Sequence, residues 1–200
     1  NICIDIFIMN DLTQHSLRRT CFDMSWNIVL TIDMLLAYPD LPWHWLAISR
    51  QMNINDILNH PELSWNWNFV SHNLSVTMEI VLSNIDKPWH WDGLSSHKNI
   101  NMSDIESHID LSWNWYYVNY NPNLTMTMIE TYPDKEWNWN IINENVILSV
   151  EFLEQSSEFK ENLRSYDDIC VYNPFITLEL LLATPDLPWN YNWLSINECL

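Results

Sequence analysis

Glycine is almost missing from this chain. Gly93 is the only one in 200 residues, so the residue that ordinarily makes left-handed joints and helix C-caps is gone nearly everywhere. Asparagine is expected to take its place, at Asn73, Asn99, Asn121 and Asn123, because its short amide tolerates the left-handed region. Cations are scarce too. Eight Lys and Arg face 26 Asp and Glu, a formal charge of −18 at pH 7, and this excludes phosphate backbones as partners, since nucleic-acid binding rests on clustered basic groups. A basic protein surface is the partner such a charge would attract, although strong acidity is also an ordinary means of staying soluble.

Other absences narrow the field further. Cys3, Cys21, Cys170 and Cys199 share no metal-type spacing and do not follow any period, so they read as free thiols in a reducing compartment. No stretch is long enough to span a bilayer, and the apolar opening 1–9 contains Asp5 and lacks a basic flank, which makes it a poor signal peptide. No membrane partner is expected. There is no Gly-rich phosphate loop, no nucleophile elbow and no isolated acid pair, so the sequence predicts no catalytic residue and no cofactor. The chain begins without Met and stops just past another repeat joint, as a fragment of a longer array would.

What is present is tryptophan, 13 of them in a chain of 48% hydrophobic residues. Ten of them come in pairs inside a recurring block. Asp86-Lys87-Pro88-Trp89-His90-Trp91 is one version; Trp43 and Trp45, Trp65 and Trp67, Trp113 and Trp115, and Trp137 and Trp139 mark others, and Trp189 with Tyr191 closes the series. The period is about 24 residues, within the range of solenoid repeats. Between Trp137 and Trp189 lies a degenerate copy over 149–168, where Glu161 and Leu163 replace the Trp pair. About seven units fit between Asn27 and Leu194, preceded by an N-terminal cap or degenerate repeat over 1–26. Residues 195–200 read as the start of a further repeat or a tail.

Each unit has two halves. The first opens with Thr31, Asn53, Thr77, Asn101, Thr125, Ser149 or Thr177, twelve positions before the first Trp or its replacement, and all are N-cap residue types. Apolar residues follow one and four places later (Met78 and Val81, Met126 and Ile129, Val150 and Leu153, Leu178 and Leu181), which is helical spacing. Pro39, Pro61, Pro133 and Pro185 then limit the helix to about two turns. In the second half, Asp86 as cap with Pro88 in the first turn favours another helix. Alternation of Trp65, Trp67 and Phe69 with asparagine suits a strand as well. The predicted fold is therefore an all-α solenoid of short two-helix repeats, with a helix-plus-strand solenoid as the alternative.

Such short helices are marginal alone, so the predicted structural core is the indoles: Trp43, Trp45, Trp65, Trp67, Trp89, Trp91, Trp113, Trp115, Trp137, Trp139 and Trp189. The histidines recur at twice the period, His44 with His90 and His60 with His108. None sits in a local ligand spacing, so they read as inherited variants and no metal is expected. Asn73-Leu74-Ser75, Asn101-Met102-Ser103 and Asn123-Leu124-Thr125 fit the glycosylation pattern but read as turn and cap residues.

The run Pro39 to Trp45, with Ile85 to Ser95, Asn121 to Thr125, Tyr132 to Trp139 and Pro185 to Tyr191, resembles the tryptophan-rich repeats of proteins encoded by giant, nucleocytoplasmic large DNA viruses. The resemblance implies a repeat scaffold without assigned activity, placed in the host cytoplasm or the virion. The functional expectation is a non-enzymatic scaffold that binds a protein partner through variable outward positions such as Arg50, Lys98, Tyr116 and Tyr120. A structural component of a virus particle is the alternative. The partner's identity and its contact residues are not written in the sequence, and the irregular segment 149–168 is the one place where an insertion for binding or catalysis would break the period.

Overall fold

The computed structural model describes residues 14–26, 30–145, 170, 173, 175–187 and 189–197. Among them every regular element is a helix and there is no strand. The chain gathers into two compact units, Asn1–Gly93 and Leu94–Leu200. After an opening helix, Gln14–Ser25, both units are written in the same alternation of a leading and a trailing helix. The degenerate copy over 149–168, with Ser149, Val150 and Leu153, lies outside the described residues.

The leading helices are Ile32–Ala37, Ile54–Asn59, Met78–Ser83, Met102–Ser107, Met126–Thr131 and Leu178–Ala183, each of six residues. Local chemistry sets their starts. Thr77, Thr125 and Thr177 accept from the backbone N–H three residues on, Asn53 from the one two residues on, and Asn101 forms a reciprocal capping box with Asp104. Thr31 has the same extended geometry without the side-chain bond. The residues one and four places after the cap are buried in the copies led by Asn53, Thr77, Asn101 and Thr125. In the last copy Leu178 is exposed and Leu181 half-buried.

The helices end without the left-handed residue that glycine usually supplies. The six C-caps, Tyr38, His60, Asn84, His108, Tyr132 and Thr184, all have φ between −137° and −123° and ψ between 40° and 61°. An indole does the work instead. The Nε1–H of Trp43, Trp65, Trp89, Trp113, Trp137 and Trp189 donates in every copy to the C-cap carbonyl five residues earlier, at 2.7–2.9 Å. That carbonyl also accepts the backbone N–H three residues on, closing a turn such as Tyr38-Pro39-Asp40-Leu41 with Pro in its favoured second place. The scarcity of glycine is thus matched by a helix stop that needs none.

The trailing helices start one step later than the Asp-x-Pro signature suggests. They are Trp45–Gln51, Trp67–Val70, Trp91–Ser95, Trp115–Val118, Trp139–Asn145 and Tyr191–Leu194. Asp86 and Pro88 lie before the helix, and the backbone N–H of Trp89 bonds the carbonyl of Lys87 at 2.8 Å in a three-residue turn. The cap is the residue between the aromatics. Asn66, Asn114, Asn138 and Asn190 accept from backbone N–H groups two or three residues on, and His44 Nδ1 does so from Ala47. The first Trp therefore stands outside the helix and the second opens it.

Helices of four to seven residues cannot hold themselves together, because nucleation costs more than so few bonds return. Three kinds of contact recur between neighbouring copies. First, the second Trp of one copy meets the first Trp of the following copy edge-to-face: Trp45 with Trp65 at 5.3 Å, Trp67 with Trp89 at 5.1 Å, and Trp115 with Trp137 at 5.5 Å, with interplanar angles of 87–90°.

Second, a buried hydroxyl or amide oxygen six places after the first Trp accepts the backbone N–H of the next copy's cap residue. Ser49 takes that of Asn66, Ser71 that of His90, Ser95 that of Asn114 and Asn119 that of Asn138, at 2.7–2.9 Å. Ser25, at the end of the opening helix, does the same for His44 at 2.9 Å.

Third, an amide two places further on reaches back to the carbonyls of the copy before. Asn73 donates to Ser49 and Met52, Asn121 to Ser95, His97 and Ile100, and Asn197 to Cys170 and Asn173. Gln51 bonds the Ser25 carbonyl from the equivalent place. Apart from the exposed Gln51, these polar side chains are buried and would be costly to leave unpaired, so they fix the spacing of the copies while the indoles supply the apolar area. Asn73 and Asn121, expected as left-handed turn residues, serve as inter-copy donors whose oxygens also accept the N–H two residues on.

Candidate interaction surface

The predicted core residues are not equally placed. Trp43, Trp65, Trp89, Trp113 and Trp189, the first of every pair except that of Trp137, are 6–8% exposed, as is Trp139. Trp137, Trp45, Trp67, Trp91 and Trp115 are half-buried. Tyr191, which replaces the second Trp in the last copy, is 66% exposed. At about 25 cal/mol per Å², burying 150–250 Å² of a tryptophan contributes several kcal/mol. The indoles therefore dominate the cohesion of each unit.

The histidines are brought to separate tasks, not to one centre. His60 and His108 are C-caps; His60 Nδ1 bonds Glu62 Oε1 at 3.0 Å and His108 Nδ1 bonds the Asp104 carbonyl at 2.9 Å. His97 Nδ1 accepts from Asn99 N–H, while His90 Nδ1 is buried with no hydrogen-bond partner. His72 lies against Gly93, where an ideal Cβ would stand 2.7 Å from its Cε1. Among the described residues no group of three or more His, Cys, Asp or Glu could hold a metal ion. Burial pushes the Cys21 thiol up, which suits an inert packing residue more than a nucleophile.

The trailing helix differs from copy to copy at three places, some buried and some exposed. Three, four and seven places after the first Trp stand Asn68, Phe69 and His72 in one copy and Asp92, Gly93 and Ser96 in another. In the copy of Trp113 they are Tyr116, Tyr117 and Tyr120, which are 48%, 36% and 47% exposed. The three rings touch, with centroids 5.4, 5.7 and 6.4 Å apart, and the Tyr116 and Tyr120 hydroxyls are 3.3 Å from each other.

This helix sits beside an acidic turn. Asn119 Nδ2 donates to the Glu136 carbonyl at 3.0 Å, which brings the exposed Glu136 to the residue next to Tyr120. Lys135 lies with its Nζ 5.3 Å over the Trp115 ring and 3.1 Å from Asp134 Oδ2. The hydrogen bond from Lys135 holds the Asp134 carboxyl below its usual range. Arg50 and Lys98, the other outward positions singled out in the sequence, are exposed as well.

Comparison with protein-family models, curated proteins and solved structures finds no match to this chain. Among the described residues no helix is long and apolar enough to cross a membrane.

Proposed function

We propose that this chain is a non-enzymatic repeat scaffold, its copies stacked as a solenoid, and that it binds a protein partner through the outward side of its trailing helices. The observation that carries this reading is the tyrosine trio. Positions shared by every copy are accounted for by helix capping, indole packing and the inter-copy hydrogen bonds. Tyr116 and Tyr120 depart from the residues at those places in the other copies, and with Tyr117 they form an exposed cluster of touching rings. Exposed, mutually touching tyrosines are characteristic of binding surfaces, because they bring large contact area at low conformational cost. A repeat array puts its specificity in such departures and its stability in the rest.

The test is a triple variant, Tyr116→Ser with Tyr117→Ser and Tyr120→Ser, compared with the parent chain for retention of proteins from its native source. Capture should be lost while the melting temperature stays within a few degrees. Undiminished capture would overturn the assignment of this surface, and loss of the fold would return the tyrosines to the core.

A further inference from the structure

We propose that the copy of Trp189 docks a tryptophan-pair repeat of another polypeptide, seated on Leu178, Tyr191, Ser195 and Ile196 through the same junction that joins neighbouring copies within the chain. This goes beyond the tyrosine surface and does not depend on it.

Each of the four places is defined by what its equivalents do elsewhere. Tyr191 stands where the second Trp of a pair stands. Trp45, Trp67 and Trp115 there meet the first Trp of the following copy edge-to-face and are half-buried, whereas Tyr191 is 66% exposed. Ser195 is the equivalent of Ser25, Ser49, Ser71 and Ser95. Those four are fully buried, and their hydroxyls accept the backbone N–H of the next copy's cap at 2.8–2.9 Å. Ser195 is exposed, and its Oγ donates to the Asn192 carbonyl at 2.7 Å, which leaves an acceptor lone pair for an incoming N–H.

The other two places are apolar. Ile196, 55% exposed, is the equivalent of His72, which lies against Gly93 of the following copy. Leu178 is 65% exposed, while Ile54, Met78, Met102 and Met126 at the same place are 3–8% exposed. Ile32 shows which way that place faces, since it lines a hollow together with Asn53 and Asp56 of the following copy.

The hydroxyl selects the occupant. An ordinary amphipathic helix can cover Tyr191 and Ile196, but its interior N–H groups are spent on its own carbonyls. In a tryptophan-pair repeat the cap residue after the first Trp keeps its N–H for an outside acceptor, and the indole beside it suits the edge of Tyr191. The cap N–H groups of His44, Asn66, His90, Asn114 and Asn138 are all bonded within this chain, so a folded second copy has none of these five to give. The partner is therefore a different polypeptide that carries such a repeat.

The experiment titrates the full chain with a fluorescent synthetic peptide of residues 77–100, one repeat with Trp89, Trp91 and the His90 N–H, at about 150 mM salt so that charge repulsion is screened. Saturable one-to-one binding is expected. Trp89→Ala in the peptide should weaken it by at least about tenfold, and N-methylation at His90, which deletes the donor for Ser195, by about tenfold. On the chain, Tyr191→Asp with Ile196→Asp should abolish binding at an unchanged melting temperature, because both side chains are exposed. Hydrogen exchange on the parent needs no variant: the amides of Tyr191–Leu194 should gain protection when the peptide is added. Absence of binding to the parent, or undiminished binding of either altered peptide, would overturn the proposal. So would equal affinity for a leucine-rich helical peptide, since the face would then be merely apolar. Self-association of the full chain that Tyr191→Asp with Ile196→Asp removes would make a second copy the occupant and overturn it as well. Replacing Tyr116, Tyr117 and Tyr120 by Ser should leave peptide binding intact, so either surface can fail its test while the other stands; loss of binding there would move the site to the tyrosines and overturn the proposal.

Discussion

The Nε1–H of Trp89 donates to the carbonyl of Asn84 at 2.8 Å, while the ring above it is 6% exposed and stands edge-on to Trp67. One side chain thus stops a helix, fills the core and touches the preceding copy. Trp89→Ala removes all three contributions and should cost about 3–5 kcal/mol, as large core truncations do. Trp89→Phe keeps most of the apolar area and loses the hydrogen bond. The Asn84 carbonyl retains the Lys87 N–H, so the loss should be about 1–2 kcal/mol. Urea denaturation of the two variants separates the terms. Equal losses would show that the indole N–H contributes nothing beyond its ring.

Ser71 offers a sharper test of what holds neighbouring copies in place. Its Oγ is fully buried, donates to the Trp67 carbonyl and accepts the His90 N–H at 2.8 Å. Ser71→Ala deletes an acceptor without changing much volume, leaving a backbone N–H unpaired, and about 1–3 kcal/mol should be lost. Hydrogen exchange reads the site directly: the His90 amide should lose protection more than the amides of Met78–Ser83. A uniform loss across the unit would mean the serine acts through packing.

His90 and His44 occupy the same place in their copies but are not equally satisfied. His44 Nδ1 caps Ala47 N–H at 3.3 Å, whereas His90 Nδ1 is buried without a partner. Asparagine caps the trailing helix at Asn66, Asn114, Asn138 and Asn190. His90→Asn is therefore expected to stabilise the chain by about 0.5–1 kcal/mol, the worth of a modest N-cap. His44→Asn should change stability by less, measured the same way. Destabilisation by His90→Asn would show that the ring is held for its packing.

Much of this architecture is legible in the sequence because it is local. The cap residues Asn53, Thr77, Asn101, Thr125 and Thr177 announce their helices within three positions of themselves, and Pro39, Pro61, Pro133 and Pro185 mark where they have ended. The start of the trailing helix is less legible, since Asp-x-Pro suits both a helix opening and the turn that it occupies here. Asn66 and its equivalents reveal themselves as caps only once that turn is placed. Ser49, Ser71 and Ser95 are harder still. Each is a polar residue in an apolar segment, and its reason is a backbone N–H 17 or 19 residues away. The signal was available as a polar residue six places after each first Trp. The exposure of Tyr117 is not legible in the sequence, because an apolar pattern does not distinguish a ring that packs inward from one that stands at the surface.

Gly93 is kept for space, not for a turn. It lies inside the helix Trp91–Ser95, and a Cβ built there would stand 2.7 Å from His72 Cε1 and 2.8 Å from Nδ1, the atom that bonds the Asn68 carbonyl. Alanine at a helical position is better than glycine by about 1 kcal/mol, so Gly93→Ala sets a propensity gain against displacement of the imidazole. Alone it should be neutral or destabilising. In a His72→Ala background the obstacle is gone, and the same substitution should stabilise by about 1 kcal/mol relative to that background. The double-mutant cycle read by denaturant midpoint gives the coupling between the two sites. If Gly93→Ala has the same effect in both backgrounds, the ring is not what keeps this glycine, and a backbone requirement at Gly93 takes its place.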